Sequence, residues 1–239
     1  MTWHGRLRRA RCERAWRRLL QGPLTAPAPS HPVALRAFLE AGLPPATRAA
    51  ADLPALALDL ETTGLDPRQH RIVSVGWVAL DADVHLATAR HHVLREAQGG
   101  GEAVHGILHD ARSEGESLEQ VLAAFFEAAR GRVLVAHHLP METGFLEAAI
   151  RATWGIELPL IGVDTLALER RIERGAPGHG TREDTPGAFR LPAVRARYGL
   201  PAYPLHDALS DAMAAGELFM AQRARLLARH GRLTLGDLS

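Results

Sequence analysis

A chain of 239 residues, 46% of them hydrophobic, has material for one large α/β domain with an appendage, and its formal net charge of +1 implies no strongly basic surface overall. One cysteine, Cys12, excludes an intramolecular disulfide and a cysteine-rich zinc site, and the complete absence of lysine excludes both a Walker A phosphate loop and a lysine Schiff base. No apolar run approaches the roughly 20 residues of a membrane span and no signal-peptide pattern opens the sequence, so a cytoplasmic protein is expected.

In chain order, residues 1–21 read as a short basic helix. Arg6, Arg8, Arg9, Arg11, Arg14, Arg17 and Arg18 are opposed only by Glu13, and Trp3, Leu7, Trp16, Leu19 and Leu20 supply an apolar side. Such a segment suits nucleic-acid phosphates, an anionic surface, a partner, or packing on the domain with a solvated arginine face. A Pro- and Ala-rich stretch follows, then a second helix from about Pro32 to the residue before Gly42. The main domain is expected from residue 52, with 1–51 as a helical extension. Its pattern reads strands at 54–61, 71–80 and 84–94, a helix at 117–130, a strand at 132–137, a helix at 142–153 and a strand at 160–164. Helices follow near 164–174, 190–198 and 207–229, with a Gly/Pro-rich loop from Gly175 to Gly187. Three consecutive strands followed by alternating helices and strands fit a mixed sheet with helices on both faces. Gly99-Gly100-Gly101 reads as a turn.

Three segments carry chemistry. Asp59-Leu60-Glu61-Thr62-Thr63-Gly64 ends an apolar run that starts at Leu56. Residues two apart on a strand share a face, so Asp59 and Glu61 would stand side by side where the strand leaves the sheet. Two such acids repel unless a cation lies between them, and hard divalent ions such as Mg²⁺ and Mn²⁺ prefer oxygen ligands. A pair of these ions about 3.5–4 Å apart is a recurring device for phosphodiester cleavage. Near the C-terminus, His206 lies five residues before Asp211 at the head of a long helical pattern. Positions i and i+5 are about 140° apart on a helix, so His206 belongs in the entering turn after Pro204 while Asp211 projects from the helix. Between these lies Val133 to Leu146, an apolar strand running through a turn into a helix with Glu142 near its start. The adjacent pairs His91-His92 and His137-His138 point to opposite faces and cannot grip one ion. His105 and His109 are four apart without a third ligand, and no Gly-x-Ser-x-Gly elbow is present.

Taken in order, these segments resemble the DEDDh 3′–5′ exonucleases, the family that includes the proofreading epsilon subunit of bacterial replicative DNA polymerase and RNase T. The first motif is matched from Asp59 to Gly64 and the third by His206 and Asp211, and Val104-His105-Gly106-Ile107 is similar to the family's hydrophobic-His-Gly-Ile segment. The likeness runs over roughly residues 54 to 229. The tyrosine variant of the superfamily lacks its Tyr here: Leu209-Ser210 precede Asp211, and Tyr203 is too far upstream. The second motif departs from the family. Where Ala-His-Asn-Ala-x-Phe-Asp is usual, this chain has Ala136-His137-His138-Leu139-Pro140-Met141-Glu142, so Glu142 takes the place of the third acid with one extra methylene, a shift of roughly 1.5 Å.

The resemblance implies a ribonuclease H-like mixed five-stranded sheet flanked by helices, and an enzyme that uses two Mg²⁺ or Mn²⁺ ions to release nucleoside 5′-monophosphates from nucleic-acid 3′ ends. It implies that Asp59 bridges both metals, Glu61 and Asp211 complete the first site, Glu142 supports the second, and His206 takes a proton from the attacking water. Thr62, Thr63, Gly64 and Leu65, with His105 and His137, are the implied contacts to the terminal nucleotide. The implied partner is a single-stranded DNA or RNA 3′ end, with a DNA polymerase or other repair protein beside it. Proofreading, repair, RNA trimming and a silent binding role all stay open at this point. No clamp-binding motif with a leading Gln and paired aromatics stands near the C-terminus.

Overall fold

The computed structural model describes residues 3–21, 33–95, 115–174, 185–204 and 206–238. His105, His109 and the triple glycine at 99–101 therefore lie outside the described residues. Strands β1 (Ala55–Thr62), β2 (Ile72–Leu80), β3 (Val84–Val93), β4 (Val133–Ala136) and β5 (Gly162–Asp164) form one sheet in the order β3-β2-β1-β4-β5. The first three are antiparallel neighbours, while β4 and β5 run parallel to β1. This mixed five-stranded arrangement flanked by helices is the ribonuclease H-like architecture that the resemblance implies.

Strand alternation sorts β1 into two faces. Leu56, Leu58 and Leu60 enter a core shared with α1 (Trp3–Gln21), α2 (Val33–Ala41), α3 (Leu118–Ala129) and α4 (Leu139–Trp154). A chain of ring contacts ties those helices together: Trp16 to Phe38 at 4.7 Å, Phe38 to Phe126 at 5.0 Å and Phe126 to Trp154 at 5.9 Å. The N-terminal helices thus belong to the main core. Ala55 and Ala57 face the other way, into a core built by α5 (Thr165–Arg174), α7 (Ala208–His230) and α8 (Leu235–Leu238). The short helix α6 (Leu191–Arg197) packs on α7.

Two boundaries differ from the sequence pattern by more than one residue, and one short helix is additional. Helix α4 starts at Leu139, three residues earlier than expected: Pro140 fits a first helical turn, and left-handed His138 (φ 80°) leads directly from β4 into the helix. The strand expected over 160–164 forms only as β5, because the Leu160 N–H donates to the Glu147 carboxylate at 2.8 Å instead of to a ladder. Helix α8 carries too few residues for a periodic signal; the Leu235 and Gly236 amides donate to the carbonyls of Arg48 and Ala46.

Candidate metal and nucleic-acid site

Asp59 and Glu61 continue the Ala55/Ala57 face of β1, the face that α7 covers. A register shift follows Glu61: its partner is Ser74 and that of Thr62 is Ile72, so Val73 is passed over and β1 ends against a bulge in β2. Helix α7 delivers Asp211 to the same place. Its approach depends on Gly76, paired with Asp59 across β1 and β2. A Cβ on Gly76 would lie 2.2–2.3 Å from the backbone of Ala208 and Leu209, the first residues of α7. Farther along, Gly216 lies against Ala57, where a Cβ would come within 3.0 Å. Gly76→Ala is therefore expected to push the helix start outward and destabilise the protein by about 1–3 kcal/mol, as thermal unfolding will show.

The outcome is a group of three carboxylates, Asp59, Glu61 and Asp211, each offering an oxygen within 4.8 Å of the others. It is the only such group with metal-ligand spacing among the described residues. Burial pushes the Asp59 carboxyl well above its ordinary range, and the charges of Asp211, Glu61 and Asp207 push it further. Asp211 is raised as well, chiefly by burial, against the opposing pull of the His206 N–H. That N–H donates to Asp211 Oδ2 at 3.1 Å, while Asp211 Oδ1 is buried with no hydrogen-bond partner.

Glu142 arrives from the opposite layer, on the first turn of α4, and is only 3% exposed. Its carboxyl is raised by burial first and then by Asp59 and Glu61, with the Leu60 N–H opposing; Oε2 is buried without a partner. It borders the three-acid group without belonging to it. Like-charged, desolvated acids with orphaned oxygens are costly unless a cation occupies their midst. All the donors are hard oxygens, and a divalent cation of the Mg²⁺ type fits them.

The remaining expected residues sort by position. His206 stands exposed in the turn before α7, with a left-handed backbone (φ 64°), and Asp207 caps the helix by accepting the Ser210 N–H at 2.8 Å. Thr62 Oγ1 donates to the Gly64 carbonyl at 2.7 Å, and Thr63 Oγ1 accepts the Arg71 N–H at 3.1 Å. Gly64 packs under the His70 ring, which a Cβ would meet at 2.1 Å, and Leu65 beside it is 80% exposed. His137 sits apart, between elements: Nδ1 lies 2.9 Å from Thr165 Oγ1 and Nε2 2.8 Å from the Phe189 carbonyl, with burial lowering its basicity. In this position it ties β4 to α5 and to the segment before α6.

Three contributors escaped the sequence reading. Gly76 carried a usable signal, since a lone glycine inside an apolar strand marks close backbone approach. Asp207 was legible as an acid immediately before a helical pattern. Arg195 carried none: its guanidinium donates to the carbonyls of Ala214 and Pro201 and to Glu217, and Tyr203 donates to the same carboxylate. This clamp fixes the chain that leads to His206. His91 and His92 do face opposite ways. His91 Nδ1 lies 3.8 Å from Asp207, whereas His92 stacks on Trp77 with ring centroids 4.5 Å apart.

Residues 56–219 match the family model RNase_T, described as an exonuclease. A DNA polymerase III of the PolC type from Thermotoga petrophila is 27% identical over 168 residues, 69% of this chain and 11% of that protein. The chain thus spans about a tenth of that relative's length. The DNA polymerase III subunit epsilon of Treponema pallidum is 27% identical over 177 residues, covering 73% of this chain and 79% of that one. Among solved structures, E. coli Exonuclease I in complex with a dT13 oligonucleotide shares the fold with a TM-score of 0.58 and 17% identity, over 74% of this chain and 43% of that chain.

Proposed function

This chain belongs to the RNase_T exonuclease family, and from that premise we propose that it removes nucleotides from a single-stranded DNA or RNA 3′ end as nucleoside 5′-monophosphates. The observation that carries the reading is the convergence of Asp59, Glu61 and Asp211 on one point, from a strand end and a helix start far apart in the chain. Asp59, Glu61 and Asp211 would hold one Mg²⁺ or Mn²⁺ ion, and Asp59 with Glu142 a second. Two such ions, when bound, would lower the proton affinity of the attacking water and neutralise charge on the leaving 3′ oxygen.

The protein's own groups supply the rest. His206, whose backbone N–H donates to Asp211 and whose side chain is open to solvent, would take the proton from the attacking water as the general base. The Arg195 clamp and the Asp207 cap hold it there. Thr62, Thr63, Gly64 and Leu65 form a loop whose threonine hydroxyls are occupied internally, leaving a fixed backbone and an exposed Leu65 to meet the terminal nucleotide. The polymerase-associated names of its relatives favour proofreading beside a polymerase in the cytoplasm over free-standing RNA trimming. With Mg²⁺ or Mn²⁺, an oligonucleotide bearing a 3′-hydroxyl should release nucleoside 5′-monophosphates, identified by mass. Release of 3′-monophosphates or internal fragments would overturn the proposal.

One observation favours a second reading, a silent nucleic-acid-binding protein: Glu142 stands outside the three-acid group. Glu142→Asp separates the two. Withdrawing a seated carboxylate by roughly 1.5 Å should lower turnover about ten- to hundredfold. A large gain would instead mark Glu142 as a defect and favour the silent reading.

A further inference from the structure

Helix α1 forms one wall of a surface groove, and α4 with the segment 157–161 forms the other. Arg8, Arg11, Arg14 and Arg18 line it from α1 and Arg151 from α4, with Glu147 and Glu157 as its only acids among the described lining residues. Glu147 accepts the Leu160 N–H, and Glu157 lies 3.8 Å from Arg151. The four α1 arginines are exposed. The apolar side of α1 is already used: Cys12 and Trp16 are buried, and Trp16 Nε1–H donates to the Pro159 carbonyl at 2.9 Å.

Charge in this protein is divided. Seven arginines and one glutamate give the first 21 residues a net +6, which leaves −5 on the remainder of a chain whose total is +1. The acids of the cleavage site belong to that negative body. A polyanionic strand is repelled there until cations bind, and screening over about 8 Å at physiological ionic strength prevents distant charge from compensating. Affinity for such a strand must therefore come from a local basic surface. Arginine forks suit phosphate oxygens. Helix α4 spans the distance between the two places: Glu142 and Arg151 lie nine residues apart, about 13 Å along its axis and about half a turn apart around it. A strand that reaches both must pass round the helix, a path of several nucleotides.

We propose that the groove between α1 and α4 binds the phosphate backbone of a single-stranded nucleic acid upstream of the 3′ end held at the acid site. This rests on the exonuclease reading for its choice of ligand. A membrane surface fits less well, since an interfacial helix needs a free apolar face, whereas on α1 Trp16, Leu19 and Leu20 pack on the core and Leu7 is the one large apolar side chain exposed among its described residues. The groove supplies affinity for length, whereas the chemistry stays with the acids and His206.

The test uses the full chain and the triple variant Arg11→Gln/Arg14→Gln/Arg18→Gln, whose exposed side chains are exchanged at nearly equal helix propensity. Binding of fluorescent oligothymidylate is read by anisotropy across a salt series, in an Asp59→Ala background that prevents digestion. Cleavage of a trinucleotide is read in the active background, and the unfolding midpoint checks the fold. The triple variant should bind the long strand at least about tenfold more weakly at low salt, with a log–log salt slope shallower by about 2, and should cleave the trinucleotide as the parent does. Unchanged oligonucleotide affinity overturns the proposal, including the case in which the variant loses only binding to phosphatidylglycerol vesicles. If the parent cleaves nothing yet binds the long strand through these arginines, the groove stands and the exonuclease reading falls.

Discussion

Asp59→Asn is expected to yield a protein that is more stable without metal and inactive with it. Asp59 is crowded by Glu61, Asp211 and Asp207, and burial raises its carboxyl well above the ordinary 3.8, as it raises Glu142 above 4.5. A carboxyl raised in the folded state favours folding fully below its unfolded value, and that contribution is lost as pH rises through the folded value. The metal-free protein should therefore lose stability from the ordinary carboxylate range upward towards neutrality. Removing one charge relieves this penalty. A divalent cation relieves it too in the wild type, by binding the folded form alone. In thermal unfolding at neutral pH, Mg²⁺ or Mn²⁺ should raise the wild-type midpoint, and Asp59→Asn should raise the metal-free midpoint while erasing most of the metal effect. Turnover should fall by about three to four orders of magnitude, several kcal/mol of lost transition-state stabilisation at 1.4 kcal/mol per decade. An undiminished metal-induced shift in Asp59→Asn would place the cation elsewhere.

Replacing His206 should cost about 10²- to 10⁴-fold in turnover, the usual contribution of a positioned general base. The choice of substituent matters because the backbone there is left-handed, at φ 64°. Alanine strains that conformation by roughly 1–2 kcal/mol, whereas asparagine adopts it more readily. His206→Asn thus keeps the turn and the backbone N–H that serves Asp211, but removes the imidazole. The expected result is an unaltered metal-induced stabilisation with a collapsed rate. His206→Ala should match it in rate and fall slightly below it in stability. Full activity in either variant would remove His206 from the chemistry.

Much of this architecture was legible because it is local. Strand alternation alone put Asp59 and Glu61 on one face, and helical geometry alone separated His206, in the turn, from Asp211, on the helix. The order of strands and helices gave the mixed sheet. What stayed hidden depends on contacts that sequence spacing does not encode. The start of α4 was misplaced because a proline after two histidines reads as a turn until the left-handed His138 is seen. The lost residues of β5 went to a side chain of α4, and the Arg195–Glu217–Tyr203 clamp joins groups with no periodic relation. Gly76 shows the reverse case, since its signal was present and its partner, the start of α7, could be known only from the fold. His105 lies outside the described residues, so its part in nucleotide binding rests on the sequence resemblance.

The most direct measurement of the central claim is time-resolved digestion of 5′-labelled single-stranded DNA and RNA oligonucleotides with Mg²⁺ or Mn²⁺, beside an Asp59→Ala control. The account predicts a ladder that shortens from the 3′ end in the parent and full-length substrate in the control, with the faster ladder revealing the preferred sugar. Intact substrates under both metals, or a ladder that persists in Asp59→Ala, would contradict it.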